Sequence, residues 1–559
     1  MFSRLFLIAL LPLALPAEDR WIGLKSGPFE VLSNAGDKTA REKLMYLEQF
    51  RETLRVITGK QEMRMIWPVR ILVLKNPPPV TAPFAVARDA RMMAVPDAGV
   101  FSRDSLKEFA RILLYENTTR LPQRVEEGLI ELVSTLEVNG TRITLGAPVP
   151  AAERSHGWAL MQLVTVNPDY RGRSRVMISN LEQSGDFEAA CRNAFEKSAK
   201  QIEQQADEYL KSGNFQTAAV SGRALSLLRD FKPEQLDPDQ PQIALADLLL
   251  ANNSAQAAKA YTALRGPAAA EGLGLLALKE HKDAEARTLF ASAVESKSES
   301  ARAWLELGRL EADPIKARAG LKKASELNPA WPEPHFRLAE READNLEQRA
   351  AFLKKAASLD LRNIDYWQAL AKTWTAAKNY VEAQKAWAGA ERASANDEER
   401  ARIHQVRLQS DKERADYEIA EKRRIAEEHE REMQRLKSIS DSSIREAEES
   451  ARKRMNADGA PAPKAEGWWE DMQSDSKVEG VFQRLDCMGR QARMIIQTAD
   501  GKAVQLAVRD PSKIVITGGG EKTLSCGAQR PAHKVLVQYL AKPDAKLRTA
   551  GEATAIEFR

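Results

Sequence analysis

Histidine and cysteine are scarce in this chain, and their scarcity limits the metal chemistry that the chain can support. Its 559 residues include six histidines and three cysteines, the side chains from which zinc sites are mainly built. Only one histidine, His156, precedes residue 281. The N-terminal region therefore lacks the paired imidazoles that a zinc enzyme requires.

An excess of one charge is also absent. Lysine and arginine number 83, aspartate and glutamate 79, and the formal net charge is +4. A nucleic-acid-binding protein usually carries a strong basic patch or stripe. The composition instead indicates a mixed, solvated surface, and we expect no nucleic-acid partner.

Long apolar runs are confined to the N-terminus. Arg4 precedes an apolar run from Leu5 to Leu15, and Pro16-Ala17 leads into polar residues. This order is typical of a secretory signal peptide, and the run is short for a bilayer span. We predict cleavage after Ala17 and export to the periplasm or the extracellular space, with no transmembrane segment. A buried N-terminal helix is the alternative.

A period of about 34 residues marks the middle of the chain. Each copy has leucine and a small residue, and later alanine, a large apolar residue and alanine; tryptophan precedes the leucine in two of the three clearest copies. The clearest copies comprise Ala270, Leu273, Gly274, Ala286, Phe290 and Ala293; Trp304, Leu307, Gly308, Ala317, Leu321 and Ala324; and Trp367, Leu370, Ala371, Ala383, Trp387 and Ala390. They match the tetratricopeptide repeat, a pair of helices that must stack on further pairs to bury its apolar face.

Weaker copies of the repeat lie around Gly213-Asn214-Phe215, around Ala257 and Tyr261, and from Leu338 onward. Five or six units are predicted. Stacked repeats form a concave groove that commonly binds a peptide or a helix of another protein. We therefore expect a protein or peptide partner in this groove.

The sequence becomes highly charged after about Asp397. Glu427 and Arg431 have the spacing of a helical i,i+4 ion pair. The apolar positions do not hold a heptad; they include Ile403, Ile419, Ile425, Met433 and Leu436. A solvated single helix or spacer is favoured over a coiled coil. A flexible linker is predicted from about Asn456 to Glu466, because this segment contains Gly459, Pro461 and Pro463.

The last part of the chain alternates apolar and polar residues. Strands are predicted at 493–498 and 502–508 on either side of the turn Asp500-Gly501, and at 513–517, 534–539 and 554–558. Short strands in this number suggest a small barrel or sandwich. Cys487 and Cys526 lie in this region and are a candidate disulfide in an exported protein. Two separate thiols are the alternative.

The N-terminal region alternates strands and helices. Strands are predicted at 21–31 and 69–74, helices at 38–58 and 105–116, and a hairpin around Asn139-Gly140. The second helix is followed by Leu121-Pro122-Gln123-Arg124-Val125-Glu126-Glu127-Gly128-Leu129-Ile130-Glu131. This order and this motif resemble the peptidase-MA-like zinc peptidases of the gluzincin type, bacterial proteins that commonly carry tetratricopeptide repeats downstream.

The resemblance implies a zinc site whose ligands this chain lacks. In that family one helix carries His-Glu-x-x-His, and the glutamate of the Glu-Gly-Leu segment is the third ligand. The corresponding helix here reads Lys107-Glu108-Phe109-Ala110-Arg111. The resemblance therefore places Lys107 and Arg111 at the histidine positions, Glu108 at the general-base position and Glu127 at the third ligand.

Zinc of this class needs neutral imidazoles at the two histidine positions. We therefore expect a degenerate site with no catalytic residue, metal or cofactor. Lys107 and Arg111 are expected to pair with Glu108 and Glu127 instead. The simpler interpretation of these carboxylates is ordinary charge on a helix surface.

The sequence thus predicts a multidomain chain: a signal peptide (1–17), a degenerate α+β metallopeptidase-like domain (18–200), an all-α repeat solenoid (201–396), a long charged helix (397–455), a linker (456–474) and a small all-β domain (475–559). The function that fits this layout is that of an exported, non-enzymatic scaffold. Two alternatives are an atypical metal-dependent hydrolase or peptidase that uses Glu108 and Glu127, and a structural protein of the cell envelope.

Overall fold

A computed structural model describes residues 20–170, 172–252, 254–458, 474–488, 491–510, 514–518 and 524–559. The chain divides into two compact units at Ala426. The predicted signal peptide and nearly all of the predicted linker lie outside the described residues. Within the described ranges, no helix combines the length and the apolar composition that crossing a membrane requires.

The N-terminal part of the first unit is an α+β domain. Its strands are β1 (Ile22–Ser26), β2 (Phe29–Ser33), β3 (Val69–Leu74), β4 (Ala85–Val86), β5 (Arg91–Pro96), β6 (Glu137–Asn139), β7 (Arg142–Leu145), β8 (Ala218–Ser221) and β9 (Pro233–Glu234). Its helices are α1 (Asp37–Thr58), α2 (Arg103–Asn117), α3 (Gln123–Val133), α4 (His156–Val166), α5 (Ser174–Ser184), α6 (Phe187–Phe195) and α7 (Ala199–Ser212).

A mixed six-stranded sheet organises this domain, in the order β4-β5-β3-β2-β1-β9. β2, β3 and β5 are parallel, while β1, β4 and β9 run antiparallel to their neighbours. The predicted strand 21–31 is in fact part of a hairpin, because Gly27 adopts a positive φ of 52° and turns the chain between β1 and β2. A second sheet has the order β6-β7-β8.

The repeat region consists of consecutive antiparallel helix pairs. The helices are α8 (Gln240–Asn252), α9 (Ser254–Thr262), α10 (Pro267–Lys279), α11 (Asp283–Glu295), α12 (Ala301–Leu310), α13 (Pro314–Leu327), α14 (Glu333–Glu340), α15 (Leu346–Leu359), α16 (Ile364–Ala376) and α17 (Tyr380–Ala393). The helix pairs follow the predicted tetratricopeptide register.

Small residues allow the paired helices to approach, as the repeat pattern predicts. A side chain at Gly308 would collide with the backbone of α13, and one at Gly389 would collide with the indole ring of Trp367. Each collision would separate the two helices of its pair. The recurring glycine and alanine positions are therefore explained by packing within the array.

The array begins later than predicted. The sequence suggested a start at residue 201 and a repeat around Gly213-Asn214-Phe215. Instead, Gly213 ends α7 in the left-handed conformation, with φ 66°, and Phe215 packs edge-on against Trp158, with ring centroids 4.8 Å apart. Residues 218–221 and 233–234 then add strands to the two sheets of the N-terminal domain. The first helix pair starts at Gln240.

Helix α18 (Asp397–Asp458) follows the last pair and extends three residues past its predicted end. Its first turns contact the array, where Ile403 is buried beside Trp387. Every residue from Lys422 through Arg454 is exposed.

The C-terminal part of the second unit is a small closed barrel. Its strands are β10 (Ser476–Met488), β11 (Gln491–Gln497), β12 (Ala503–Val508), β13 (Val515–Thr517), β14 (Gly527–Leu540) and β15 (Gly551–Phe558). The order β12-β11-β10-β14-β15 closes through a parallel pairing of β12 with β15, an arrangement found in OB-fold barrels. β10, which the sequence did not predict, pairs with both β11 and β14.

A disulfide joins Cys487 and Cys526 at the edge of this barrel, with their Cα atoms 5.7 Å apart. That separation lies in the usual range for a disulfide. The third cysteine, Cys191, is buried as a free thiol on α6.

The central strand β3 is buried on both faces, and each face belongs to a different core. Val69, Ile71 and Val73 point into the core formed with α1, α2 and α3. Leu72 and Leu74 point to the other side, where they pack against α8, α9 and α10 of the repeat array. The first repeats therefore act as the second covering layer of the N-terminal sheet.

A buried ionic network crosses the boundary between the sheet and the repeats. The Asp247 carboxylate on α8 is fully buried. It accepts hydrogen bonds from Arg70 on β3 at 3.0 Å, from Arg88 at 3.2 Å and from the Tyr261 hydroxyl at 2.6 Å. Burial raises the pKa of Asp247, and the guanidinium of Arg88 opposes this rise.

Further carboxylates complete the network around the two arginines. Arg70 also pairs with Glu30 and Asp89, each at 2.9 Å, and Arg88 pairs with Glu271 on α10. Burial acts to raise the pKa of Asp89, but Arg88 and Arg70 outweigh it and hold that pKa below its usual value. Every charge in this cluster therefore has a partner, as buried charges require.

We expect Asp247→Ala to lower the free energy of unfolding by about 3–5 kcal/mol, because it leaves two buried guanidinium groups short of a partner. Chemical denaturation of the full chain measures the change. Asp344→Ala, in an exposed loop, is the matched control and should alter the free energy by less than about 0.5 kcal/mol. Equal effects of the two substitutions would contradict the role given to the network.

Candidate functional site

An open cleft lies between the edge strand β4 and helix α2. Its lining includes Ala82, Phe84 and Ala85 on the strand side and Lys107, Glu108 and Arg111 on the helix side. Ser102 caps the N-terminus of helix α2, and its side chain accepts a hydrogen bond from the Ser105 amide. The fold thus brings three of the four residues at the predicted degenerate site into one cleft.

The fourth residue, Glu127, reaches the same place from α3. The Arg111 guanidinium lies 3.3 Å from the Glu127 carboxylate and 3.7 Å from that of Glu108. These two ion pairs of Arg111 agree with the sequence expectation. All three side chains are more than two-fifths exposed, so each pair contributes about 1 kcal/mol or less to stability.

Lys107 does not pair with Glu108 or Glu127, and this part of the expectation is wrong. Its ammonium group lies 2.9 Å from Glu131 and 2.9 Å from Glu153. Burial acts to lower the pKa of Lys107, but the bonds to Glu131 and Glu153 raise it overall. Arg103 contacts the same two carboxylates, each at 2.9 Å.

Sequence reasoning could have identified one carboxylate of this second cluster but not the other. Glu131 stands in the Glu-Gly-Leu-x-Glu motif, one helical turn after Glu127, and was a visible candidate. Glu153 lies in a short 3-10 turn, 46 residues after Lys107, and no local pattern marks it. In the two clusters the cations of α2 form ion pairs with carboxylates from three segments, which are α2 itself, α3 and the 3-10 turn.

The glycine of the motif has a packing role. A side chain at Gly128 would overlap the carbonyl oxygen of Gly157 on α4, so the two glycines let α3 and α4 approach closely. This contact fixes α3 at its first turns. It accounts for the glycine next to Glu127 without any reference to catalysis.

The arrangement is chemically unsuited to the zinc site of the resembling family. Arg111 lies between Glu108 and Glu127, so a permanent cation already pairs with the carboxylate at the general-base position and with the one at the third-ligand position. Within the described residues, no group of three histidine, cysteine, aspartate or glutamate side chains could hold a metal ion. The residues present can hold charges in ion pairs and can present an open, polar cleft.

The first helices of the repeats form the second candidate surface, which is partly covered by the chain itself. In each repeat the residue after the leucine and small-residue pair occupies an equivalent position. At α10 this residue is Leu275, which is buried against the N-terminal sheet. At α12, α14 and α16 it is Arg309, Glu340 and Lys372, all exposed. Among these four helices, α12, α14 and α16 expose this position and α10 buries it.

The loops between helix pairs hold the N-terminal domain along the rest of the array. Asn328 donates a hydrogen bond to the carbonyl oxygen of Ile66 at 2.9 Å, and Trp331 packs on Trp67 with ring centroids 4.8 Å apart. Further along, the buried Arg362 guanidinium donates to the Thr118 carbonyl oxygen at 3.0 Å. The domain and the repeats therefore contact each other over several successive pairs.

No protein-family model matches the chain, and no curated protein is similar to it in sequence. Solved structures are similar over about a third of it. YrrB, described as a TPR protein with an unusual peptide-binding site, is 19% identical over 30% of this chain and 91% of its own, with a TM-score of 0.26.

Two further structures give similar values. PilF of Pseudomonas aeruginosa is 18% identical over 33% of this chain and 90% of its own, with a TM-score of 0.27. MamA is 16% identical over 33% and 100%, with a TM-score of 0.23. Similarities of this size are no basis for transferring a ligand or an activity to this chain.

We expect the purified full chain to hold no stoichiometric zinc, because Lys107 and Arg111 present cations where the ligands would be. Elemental analysis by mass spectrometry measures the metal content. In contrast, Lys107→His with Arg111→His should create a zinc site, and adding Glu127→Gln should weaken it by about tenfold or more. Stoichiometric zinc in the unaltered chain would contradict a degenerate site, and a double variant that binds none would contradict the resemblance.

Proposed function

We propose that this protein is an exported, non-enzymatic scaffold that binds a segment of another protein on its later repeats. The observation that carries the proposal is the exposed row of Arg309, Glu340 and Lys372 on the first helices of three successive pairs. The equivalent surface of the earlier repeats is packed on the N-terminal sheet. The available part of the groove is therefore short, open and charged.

The alternation of charge along this row suggests the chemistry of the partner. A basic, an acidic and a basic side chain follow one another over three repeats, and each exposed charge favours its opposite in a bound segment. Arg309 and Glu340 each have a neighbour on their own helix, at 2.8 Å from Glu306 and 2.9 Å from Arg337. Lys372 lacks an ion-pair partner among the described residues, so it is best placed to bind an acidic side chain.

The N-terminal domain is proposed to support the array without catalysis. Its sheet supplies one wall of the core that α8 and α10 complete, and the cations of its degenerate cleft are paired with carboxylates. The cleft beside β4 remains open to an extended peptide, because an edge strand has unpaired backbone groups. In this proposal the N-terminal domain binds or positions protein segments and does not cut them.

We expect a charge reversal in the open row to weaken peptide binding. Peptides selected from a random library against the full mature chain supply the probe, and calorimetry measures affinity. Lys372→Glu should reduce the affinity of an acidic selected peptide by about tenfold, which corresponds to about 1.4 kcal/mol. Lys322→Glu, the same reversal on the exposed side of α13, should leave affinity unchanged.

Two results would overturn the scaffold proposal. Failure to select any peptide against the full chain would remove the binding function. Selected peptides that respond equally to the two reversals would show that the later first helices are not the binding surface. Cleavage of a selected peptide that is lost on Glu108→Gln would favour the hydrolase instead.

Export is proposed from the apolar N-terminus and from the disulfide between Cys487 and Cys526. We expect mass spectrometry of the native protein to show a chain that begins at Glu18. Alkylation after denaturation without reductant should modify one thiol, that of Cys191, and reduction should expose two more. An intact N-terminus would contradict export, and three thiols before reduction would contradict the disulfide.

A further inference from the structure

The long helix α18 carries a stripe of exposed apolar side chains. Ile419, Met433, Leu436 and Ile444 are each more than half exposed, although leucine, isoleucine and methionine usually avoid water. On the first turns of the helix, Ile403 and Ser410 are buried on the side toward the repeats. Ile419 projects from the opposite side, because helical residues nine apart point about 180° away from each other.

The stripe follows a heptad once alanine and the polar residues at the same spacing are included. Alternating steps of four and three residues lead from the first position to the last: Leu408, Lys412, Ala415, Ile419, Lys422, Ala426, His429, Met433, Leu436 and Ser440. All ten are exposed. A seam of this period faces one partner along its whole length when two helices supercoil.

The charges beside the seam distinguish between two possible orientations of a partner copy. Heptad position g is the residue just before Lys412, Ile419, Ala426, Met433 or Ser440. In a parallel dimer each g residue faces the residue five positions later in the other chain. This rule pairs Glu418 with Arg423 and Glu432 with Lys437, which are attractive, and it pairs Ile439 with Ile444, which is apolar. Each contact occurs twice by symmetry.

The antiparallel orientation is unfavourable. An antiparallel arrangement centred on residues 408–440 brings Arg423 against Arg423 of the other copy, and Glu418 against Glu432. The parallel arrangement has one like-charged flanking pair, Asp411 with Asp416. It lies at the end of the seam next to the repeats, where Arg414 is 3.9 Å from Asp411 and partly offsets the repulsion.

We propose that two copies of this chain associate in parallel and in register through α18, with residues 408–440 as the seam. The proposal does not depend on the function assigned to the repeats. Lys422 and His429 occupy seam positions, and polar residues there reduce the stability of a coiled coil while fixing its register. The dimer is therefore reversible. Because the helices are parallel, the two repeat arrays precede the same end of the paired helices.

Cysteine cross-linking of the full mature chain tests orientation and register. Ser440→Cys places a thiol in the seam. Only in the parallel, in-register dimer does this thiol face the same thiol of the other copy at a distance that allows a disulfide. Ser438→Cys places the same thiol on the outer side of the helix and is the control. We expect a disulfide-linked dimer for the first variant and none for the second under mild oxidation. Equal cross-linking of the two would overturn the proposal.

A charge exchange tests the flanking pairs by sedimentation. Glu432→Lys or Lys437→Glu alone creates like-charged pairs and should weaken association by about tenfold. The two together restore an attractive pair and should return the affinity to within about threefold of the original. His429→Leu should strengthen association by about tenfold or more, since it adds an apolar side chain to the seam.

Circular dichroism verifies that the helix content is unchanged in each variant. A chain that stays monomeric over the whole concentration range, or single and double charge variants that behave alike, would overturn the parallel dimer.

Discussion

Asp247 is the residue on which the first unit depends. It belongs to the first repeat helix, yet its two main partners, Arg70 and Arg88, belong to the N-terminal sheet and the segment beside it. A buried carboxylate is tolerated only when cations and hydrogen-bond donors surround it. The sheet and the repeats consequently have to be assembled together. A piece of the chain that starts at Gln240 would expose Leu275 and leave Asp247 and Glu271 without their cations.

This shared core explains why the repeat groove differs from that of a free-standing array. A tetratricopeptide solenoid usually offers its whole concave face to a partner. Here the sheet covers the first pairs, through Leu72 and Leu74 of β3, and loop residues such as Asn328 and Arg362 hold the domain along later ones. The surface of the array that remains free to bind another molecule is the part that the N-terminal domain does not cover.

The sequence permitted prediction of the features that depend on near neighbours in the chain. The repeat pattern was visible because its small residues meet larger ones nearby in the chain. Gly308 meets Leu321, 13 residues away, and Gly389 meets Trp367, 22 residues away. The parallel strand β3 was visible as an apolar run that only Arg70 interrupts. In contrast, Arg70 and Asp247 are 177 residues apart, and Lys107 finds Glu153 in an isolated turn. Pairings of this kind are set by the tertiary fold, so periodicity could not reveal them. The start of the array was misplaced for the same reason, since Phe215 packs on Trp158 and not on a repeat helix.

The contact between Gly128 and Gly157 has a consequence for how such chains are classified. The Glu-Gly-Leu segment is retained here by the close crossing of two helices, a requirement that persists whether or not a metal is bound. Its presence in a sequence therefore reports architecture. The chemistry at this place is set instead by the side chains that α2 presents, and Lys107 and Arg111 present two cations there, each paired with carboxylates.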